Sequence, residues 1–305
     1  MSSVAVTAQT AGEGAAKAAA RRRARKASGS ATHRAGWVVY VLLGITLLIS
    51  AFPLYFTLLL GSSEPIAISQ SPVPQWLPDS SLFTQFRTVI EATQINFWLA
   101  LTNSLIIAVI VSLAVVMFST LAGYSFAKLR FRGRGPLLVF VIATMAVPTQ
   151  LGVIPMYILM SELDWIGKLQ AVIVPSLVAA FGVFWMTQYL SEALPYELIE
   201  AARVDGASMI RTFWSIALPA ARPAAAMLGL FTFVQQWTNF FWPSIVLNQN
   251  NPTLPLVVRS LQSNFFTDYS LVMAGVFLVT LPLIVIFLFT GRQLVAGIMQ
   301  GAVKG

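Results

Sequence analysis

Six stretches of this chain run for more than twenty residues without a charged side chain: Trp37–Leu60, Phe97–Leu121, Pro136–Met160, Leu169–Leu190, Pro223–Leu247 and Tyr269–Phe289. A helix needs about 20 apolar residues to cross the hydrocarbon of a bilayer, and a backbone in lipid must satisfy its own hydrogen bonds. These runs predict an all-α, polytopic membrane protein with six transmembrane helices. Composition agrees, with 57% hydrophobic and 10% charged residues and a mean hydropathy of +0.77, far from soluble averages. The first run is too long for a secretory apolar region and has no small-residue cleavage site after it, so it is expected to stay as an anchor.

The basic residues orient the spans. With the N-terminus inside, the inner segments hold the Arg21–Lys26 block, Lys128, Arg130, Arg132, Arg134, Arg203, Arg211, Arg222, Arg292 and Lys304, while the outer loops hold only Arg87, Lys168 and Arg259. Such a bias predicts cytoplasmic N- and C-termini, with the segment 191–222 on the same side. The net charge of +8 is thus topological, and no nucleic-acid partner is expected. Three parts follow: a basic tail over 1–36, a transmembrane domain over 37–291, and a C-terminal tail over 292–305. The first tail reads either as a solvated segment or as an amphipathic helix on anionic lipid, although it lacks a bulky apolar face.

One segment between spans, residues 191–222, is rich in charge and cannot enter the hydrocarbon. Pro195 suits a helix start, Glu197 and Glu200 suit its dipole, and a short helix is predicted from Tyr196 to about Asp205. Leu198, Ala201, Ala202 and Asp205 fall on one flank, small enough for close docking. Gly206 ends this helix in a left-handed cap, Ser208 caps a second, and Pro219 is expected to stop that one. The result is a helix-turn-helix elbow, either docking a partner or lying on the membrane surface as structure.

Several chemistries are excluded. There is no cysteine and a single histidine, His33, so neither a His-centred catalytic set nor a His/Cys metal cluster can form. Gly133-Arg134-Gly135 lacks the spacing and the Lys-Ser/Thr ending of a phosphate-binding loop. No span carries an ionisable group away from its ends, as ion-coupled carriers and pumps usually do. The chain is read as a non-enzyme whose driving force comes from a partner.

Neutral polar residues remain. Thr232, Gln235, Gln236 and Asn239 recur at three- and four-residue spacing in the fifth run, beside Trp237, while Pro148-Thr149-Gln150, Pro175-Ser176 and Asn103-Ser104 interrupt or flank others. In lipid such groups must face a partner helix or a cavity. They serve either as glue between helices or as a passage lined with amides, hydroxyls and an indole, suited to a neutral polyol.

Glu200-Ala201-Ala202, then Gly206, Ile216, Leu218 and Pro219, match seven fixed positions over twenty residues. This pattern resembles the cytoplasmic loop of membrane subunits of binding-protein-dependent ABC importers. Asn103-Ser104-Leu105, Gly123-Tyr124-Ser125-Phe126-Ala127, Pro148, Pro155, Val295-Ala296-Gly297 and the ending Gly301–Gly305 are similar to the carbohydrate, maltose-type branch. One departure is that Thr238 separates Trp237 from Asn239, where the family has Trp and Asn adjacent. The resemblance implies a type I importer fold with a cytoplasmic coupling helix, and an ATPase-coupling set of Glu200, Ala201, Ala202, Asp205, Gly206, Ile216, Leu218 and Pro219. It also implies as partners a second six-span permease, two ATP-binding subunits carrying ATP and Mg²⁺, an extracytoplasmic sugar-binding protein, a di- or oligosaccharide substrate and membrane lipid. No cofactor is expected on this chain. Importers of other solutes, such as a glycerol phosphodiester, an amino acid or a peptide, share the elbow. A secondary sugar carrier fits the neutral spans but leaves the elbow unexplained, and a membrane-embedded enzyme needs a cluster of ionisable groups near one interface, which only the elbow offers.

Overall fold

The computed structural model describes residues 36–64, 76–92, 96–262 and 268–302, with 292–302 described by backbone alone. The N-terminal tail, including His33 and the Arg21–Lys26 block, lies outside the described residues, as do Val303, Lys304 and Gly305. Among the described residues every regular element is helical.

The chain divides after Phe56 into two units. Of the first, residues 36–56 are described, and they form the leading part of α1 (Trp37–Gly61), whose side chains there are mostly exposed. The second unit begins at Thr57 and carries the rest: α2 (Ser81–Glu91), α3 (Phe97–Lys128), α4 (Arg134–Thr144), α5 (Val153–Glu162), α6 (Gln170–Ser176), α7 (Ala180–Ala193), α8 (Tyr196–Val204), α9 (Met209–Thr212), α10 (Leu218–Trp237), α11 (Phe241–Val246), α12 (Leu254–Ser260) and α13 (Tyr269–Ala302).

Five helices or helix runs are long and apolar enough to cross a membrane: Trp37–Gly61, Phe97–Lys128, Gln170–Ala193, Met209–Trp237 and Tyr269–Gly291. The sixth expected span, Pro136–Met160, is broken. Its halves, Arg134–Thr144 and Thr149–Glu162, meet at 87°. Pro148 explains the break, because it lacks an N–H and restrains the residue before it to extended backbone. A 3-10 turn over Thr149–Gly152 starts the second half. Smaller breaks interrupt the fourth span at 177–179 and end the fifth at Trp237, short of the expected Leu247. The last helix continues past 291 to Ala302 as one element, where a separate tail from 292 was expected.

The bundle is built around α3, which packs on both α7 and α10. Small residues let these helices approach, as expected where apolar lipid gives no drive for apolar helices to associate. A β-carbon at Gly123 would stand 2.6 Å from Met186 Cβ and 2.8 Å from the Met186 carbonyl carbon. Gly61 is similarly close to α13, where an added β-carbon would meet the Ala274 nitrogen at 2.8 Å. A continuous apolar core from Ile107 and Val111 through Met186 and Leu190 runs on into Leu194, Ile199 and Phe213, so the charged elbow shares the core of the spans.

One proline inside the bundle frees a carbonyl that an indole then takes up. Pro175 cannot donate to Ala171 four residues earlier, and the Trp242 Nε1–H donates to the Ala171 carbonyl at 2.9 Å instead. At the end of the bundle away from the elbow, the Asn103 carboxamide donates to the Pro252 carbonyl at 2.9 Å, and the Leu254 N–H donates to Ser104 Oγ at 2.9 Å. Asn103 and Ser104 therefore hold α12 in place.

Candidate functional site: the elbow and the broken spans

The elbow forms as its residues dictate. Pro195 precedes α8, and Gly206 follows it with φ at +76°. The Gly206 N–H donates to the Arg203 carbonyl at 3.0 Å and the Ala207 N–H to the Ala202 carbonyl at 2.9 Å. These are the paired closing bonds of a left-handed helix stop. Ser208 Oγ then accepts from the Arg211 N–H at 3.2 Å and opens α9.

The expected stop at Pro219 does not occur. From Met209 the helix passes through a wide turn over Phe213–Ala217, where the Leu218 N–H reaches the Phe213 carbonyl, and enters α10 without a break. The wide turn makes room for a proline ring that would otherwise strike the carbonyl four residues back, and Pro219 falls in the first turn of α10, where no donor is needed. The second arm of the elbow and the fifth span are thus one rod.

The inner face of the elbow is anchored. Ile199 is 1% exposed and Ala202 and Phe213 are buried, with the Phe213 ring 5.9 Å from that of Tyr124. The Tyr196 hydroxyl donates to the Lys128 carbonyl at 2.8 Å, and the Lys128 ammonium donates to the Ser191 carbonyl at 3.0 Å. That ammonium also lies 5.2 Å from the Tyr196 ring centre, and the Arg130 guanidinium lies 5.9 Å from the same ring centre. The elbow therefore sits beside the Lys128–Arg134 basic cluster, tied to the end of α3.

The outer face is apolar and open. Leu198, Val204, Met209, Ile210 and Trp214 are exposed, Val204 at 87% and Ile210 at 73%. Glu200, Ala201 and Asp205 are exposed among them, and Glu200 makes no ion pair among the described residues. Ala202 departs from the expected docking flank by turning inward with Ile199. Ile216, Leu218 and Pro219 are half-buried, the first two against the core, so this end of the motif joins the elbow to the span. Of this exposed apolar set only Leu198 was expected on the docking flank; Val204, Met209, Ile210 and Trp214 were not, although large apolar residues in a loop too charged to insert are a readable signal. Lys128 and Tyr196 are 68 residues apart, and no local pattern links them.

The five fifth-span residues do not share one surface. Thr232 is buried, and Trp237 is 2% exposed, its Nε1–H donating to the Val279 carbonyl at 3.2 Å and its ring stacked on Phe233. Gln235 is exposed, and Gln236 is half-buried with a buried Oε1 that has no partner among the described residues. Because α10 ends at Trp237, Asn239 leaves the helical register and borders a cavity of about 290 Å³ beside Thr149, Gly152, Ser176 and Trp242.

A helical bundle with neutral, broken spans and an apolar elbow tied to its basic end defines a multi-pass membrane subunit of a transport system. More particularly, the chain belongs to the binding-protein-dependent transport system inner membrane components, whose family model matches residues 119–296, more than half of its length. It is similar to the arabinooligosaccharides transport system permease protein AraQ of Halalkalibacterium halodurans, 30% identical over 271 residues, 88% of this chain and 96% of that one. The lactose transport system permease protein LacG of Rhizobium radiobacter is 32% identical over 268 residues, again 88% and 96% of the two chains. The sn-glycerol-3-phosphate transport system permease protein UgpE of Salmonella typhi is 27% identical over 269 residues, covering 85% and 94%. Among solved structures, a bacterial ABC transporter involved in the import of the acidic polysaccharide alginate matches with a TM-score of 0.69 at 23% identity over 84% of this chain and 95% of that one. That match shows the fold.

Proposed function

We propose that this chain is the permease subunit of an ATP-driven, binding-protein-dependent importer of neutral di- or oligosaccharides. Its elbow and both termini face the cytoplasm, and it works with a second six-span permease, two ATP-binding subunits and an extracytoplasmic sugar-binding protein. ATP and Mg²⁺ belong to the ATP-binding subunits, and this chain contributes no catalytic residue.

The observation that carries the reading is the two-faced elbow. Five large apolar side chains point away from a base held by Ile199, Phe213 and the Tyr196–Lys128 hydrogen bonds. Exposed apolar patches of this kind mark docking sites, and the adjacent basic cluster supports a cytoplasmic position for this one. Nucleotide-driven closure of the docked subunits moves the elbow, and the unbroken run from Met209 to Trp237 carries that movement into the bundle. The sugar reading is supported by relatives named for arabinooligosaccharides and lactose, and by the cavity at Asn239, which has no ionisable side chain among its lining residues.

Reconstitution of the complete assembly in proteoliposomes tests this. Tracer lactose, an arabino-oligosaccharide or diacetylchitobiose should accumulate only with ATP and loaded binding protein, and sn-glycerol 3-phosphate should not. Accumulation driven by a proton gradient without ATP, or preference for the phosphate ester, would overturn the proposal.

A further inference from the structure

Three separated interruptions of the spans meet at one place. The 87° break of the third span brings Thr149 and Gly152, the break of the fourth brings Pro175 and Ser176, and the end of α10 brings Asn239, all onto the cavity of about 290 Å³ closed by Trp242. We infer that this cavity is the saccharide-contacting site of this subunit, with Asn239 and Thr149 as hydrogen-bonding residues and Trp242 as the wall on which a sugar ring rests. The inference rests on the importer reading and adds to it the residues that read the substrate.

The chemistry of the cavity is selective. Neither the Asn239 carboxamide nor the Thr149 hydroxyl makes a hydrogen bond to another described residue, so donors and acceptors are left for a ligand. Pro243 leaves the Asn239 carbonyl without the donor that a following helical turn would supply. Ser176 differs, because its hydroxyl already donates to the Val172 carbonyl at 2.9 Å and can offer only its lone pairs. Trp242 is fixed, since its Nε1–H is committed to the Ala171 carbonyl. Its ring therefore presents an apolar surface of set orientation, to which the C–H face of a pyranose or furanose is complementary. Neutral amide and hydroxyl groups beside a held indole bind a polyol without selecting charge, whereas an anionic solute would ask for a cation, and none lines this cavity. Its volume lies near the lower end of ligand pockets, roughly 300 to 1,000 Å³, so it engages part of a saccharide and leaves the remainder outside. The position also suits transport, because irregular backbone at membrane depth is tolerated where it lines a cavity.

Gly152 supplies a direct test. Its φ is −86°, and a β-carbon there would meet nothing within 4 Å, so Gly152→Leu adds a bulky side chain at the lining of the cavity without backbone strain. The complete importer is reconstituted with whichever of lactose, an arabino-oligosaccharide or diacetylchitobiose the unaltered assembly accumulates. Gly152→Leu should lower uptake at least tenfold while ATPase association stays unchanged. Asn239→Ala should raise KM for the sugar roughly five- to tenfold, the value of one lost hydrogen bond, with maximal ATP hydrolysis retained. Asn239→Gln should recover part of that loss, a partial rescue that a merely structural role would not produce. The inference is overturned if Asn239→Ala and Gly152→Leu both transport with unaltered KM and the same order of preference among the three sugars. Should Gly152→Leu fail to insert, Asn239→Ala decides alone, because removing a side chain without protein partners leaves the fold intact. Failure of the importer reading shows differently, as an unaltered assembly that accumulates no sugar with ATP.

Discussion

Replacing Gly206 isolates the geometry of the elbow from its chemistry. The residue holds φ at +76°, and a β-carbon would find no atom within 4 Å, so an added methyl group meets no steric obstacle beyond its own backbone. The left-handed conformation costs an ordinary L-residue about 1–2 kcal/mol, which lowers the ratio of closed to open turn by roughly five- to thirtyfold. Two amides report this directly, since the Gly206 and Ala207 N–H groups donate to the Arg203 and Ala202 carbonyls only while the turn is closed. In Gly206→Ala, hydrogen exchange at the amides of residues 206 and 207 should accelerate by that factor, with membrane insertion unchanged and both ATPase association and uptake reduced. Gly206→Asn should lie close to the native protein, because asparagine tolerates the left-handed region, and Gly206→Val should be worse than alanine. The reasoning is refuted if protection at Ala207 is the same in the alanine and valine variants as in the native chain, or if asparagine proves as damaging as valine.

Tyr196→Phe removes the hydroxyl that donates to the Lys128 carbonyl and should cost about 1 kcal/mol. Tyr196→Ala also removes the ring beside the Lys128 ammonium and should cost more, as read from thermal unfolding of the purified subunit in detergent. Gly123→Ala places a methyl group against the Met186 backbone and should destabilise the α3–α7 crossing by about 1–3 kcal/mol, whereas Gly229→Ala, whose nearest neighbour would be Val116 Cγ2 at 3.3 Å, should be mild. Trp242→Phe leaves the Ala171 carbonyl without a donor and should cost about 1–3 kcal/mol. In that background Pro175→Ala restores a backbone N–H four residues on, so the double variant should be more stable than additivity allows, which a thermal-stability cycle measures.

Features that depend on near neighbours were legible in the sequence, and those that depend on distant ones were not. Pro195, Gly206 and Ser208 each announce a local conformation, and the start, turn and restart of the elbow fall where they stand. Five charge-free runs correspond to spans because length and apolarity are local sums. Pro219 misled, because whether a proline ends a helix depends on whether the preceding turn can widen, and the turn over Phe213–Ala217 does. Pro148 marked a break whose 87° angle only packing decides. The fifth-span stripe dispersed for a related reason: equal spacing places residues on one face only while the helix lasts, and α10 ends at Trp237, two residues before Asn239. Asn239 consequently shares a cavity with Thr149 and Ser176, which lie in two other spans.

The elbow's tie to α3 gives a local displacement a long reach. Lys128, which holds Tyr196 through its carbonyl and Ser191 through its ammonium, is the last residue of a helix that also contains Asn103 and Ser104. Lys128 lies 25 positions after Asn103, about 38 Å along the axis at 1.5 Å per residue. Over that length α3 is one unbroken helix without a proline, and it is closely apposed to α7 at Gly123. An intact helix does not shorten under load, so axial movement at Lys128 must appear at Asn103 and Ser104. Their partners there are the Pro252 carbonyl and the Leu254 N–H, at the start of α12. The elbow is thus connected by one element to the loop at the opposite end of the bundle, while the rod from Met209 to Trp237 leads from the same elbow to Asn239 at the cavity. In the importer proposed above, two stiff arms leaving one elbow for two sites give a partner docked on the elbow purchase on both the α12 end of the bundle and the cavity at Asn239.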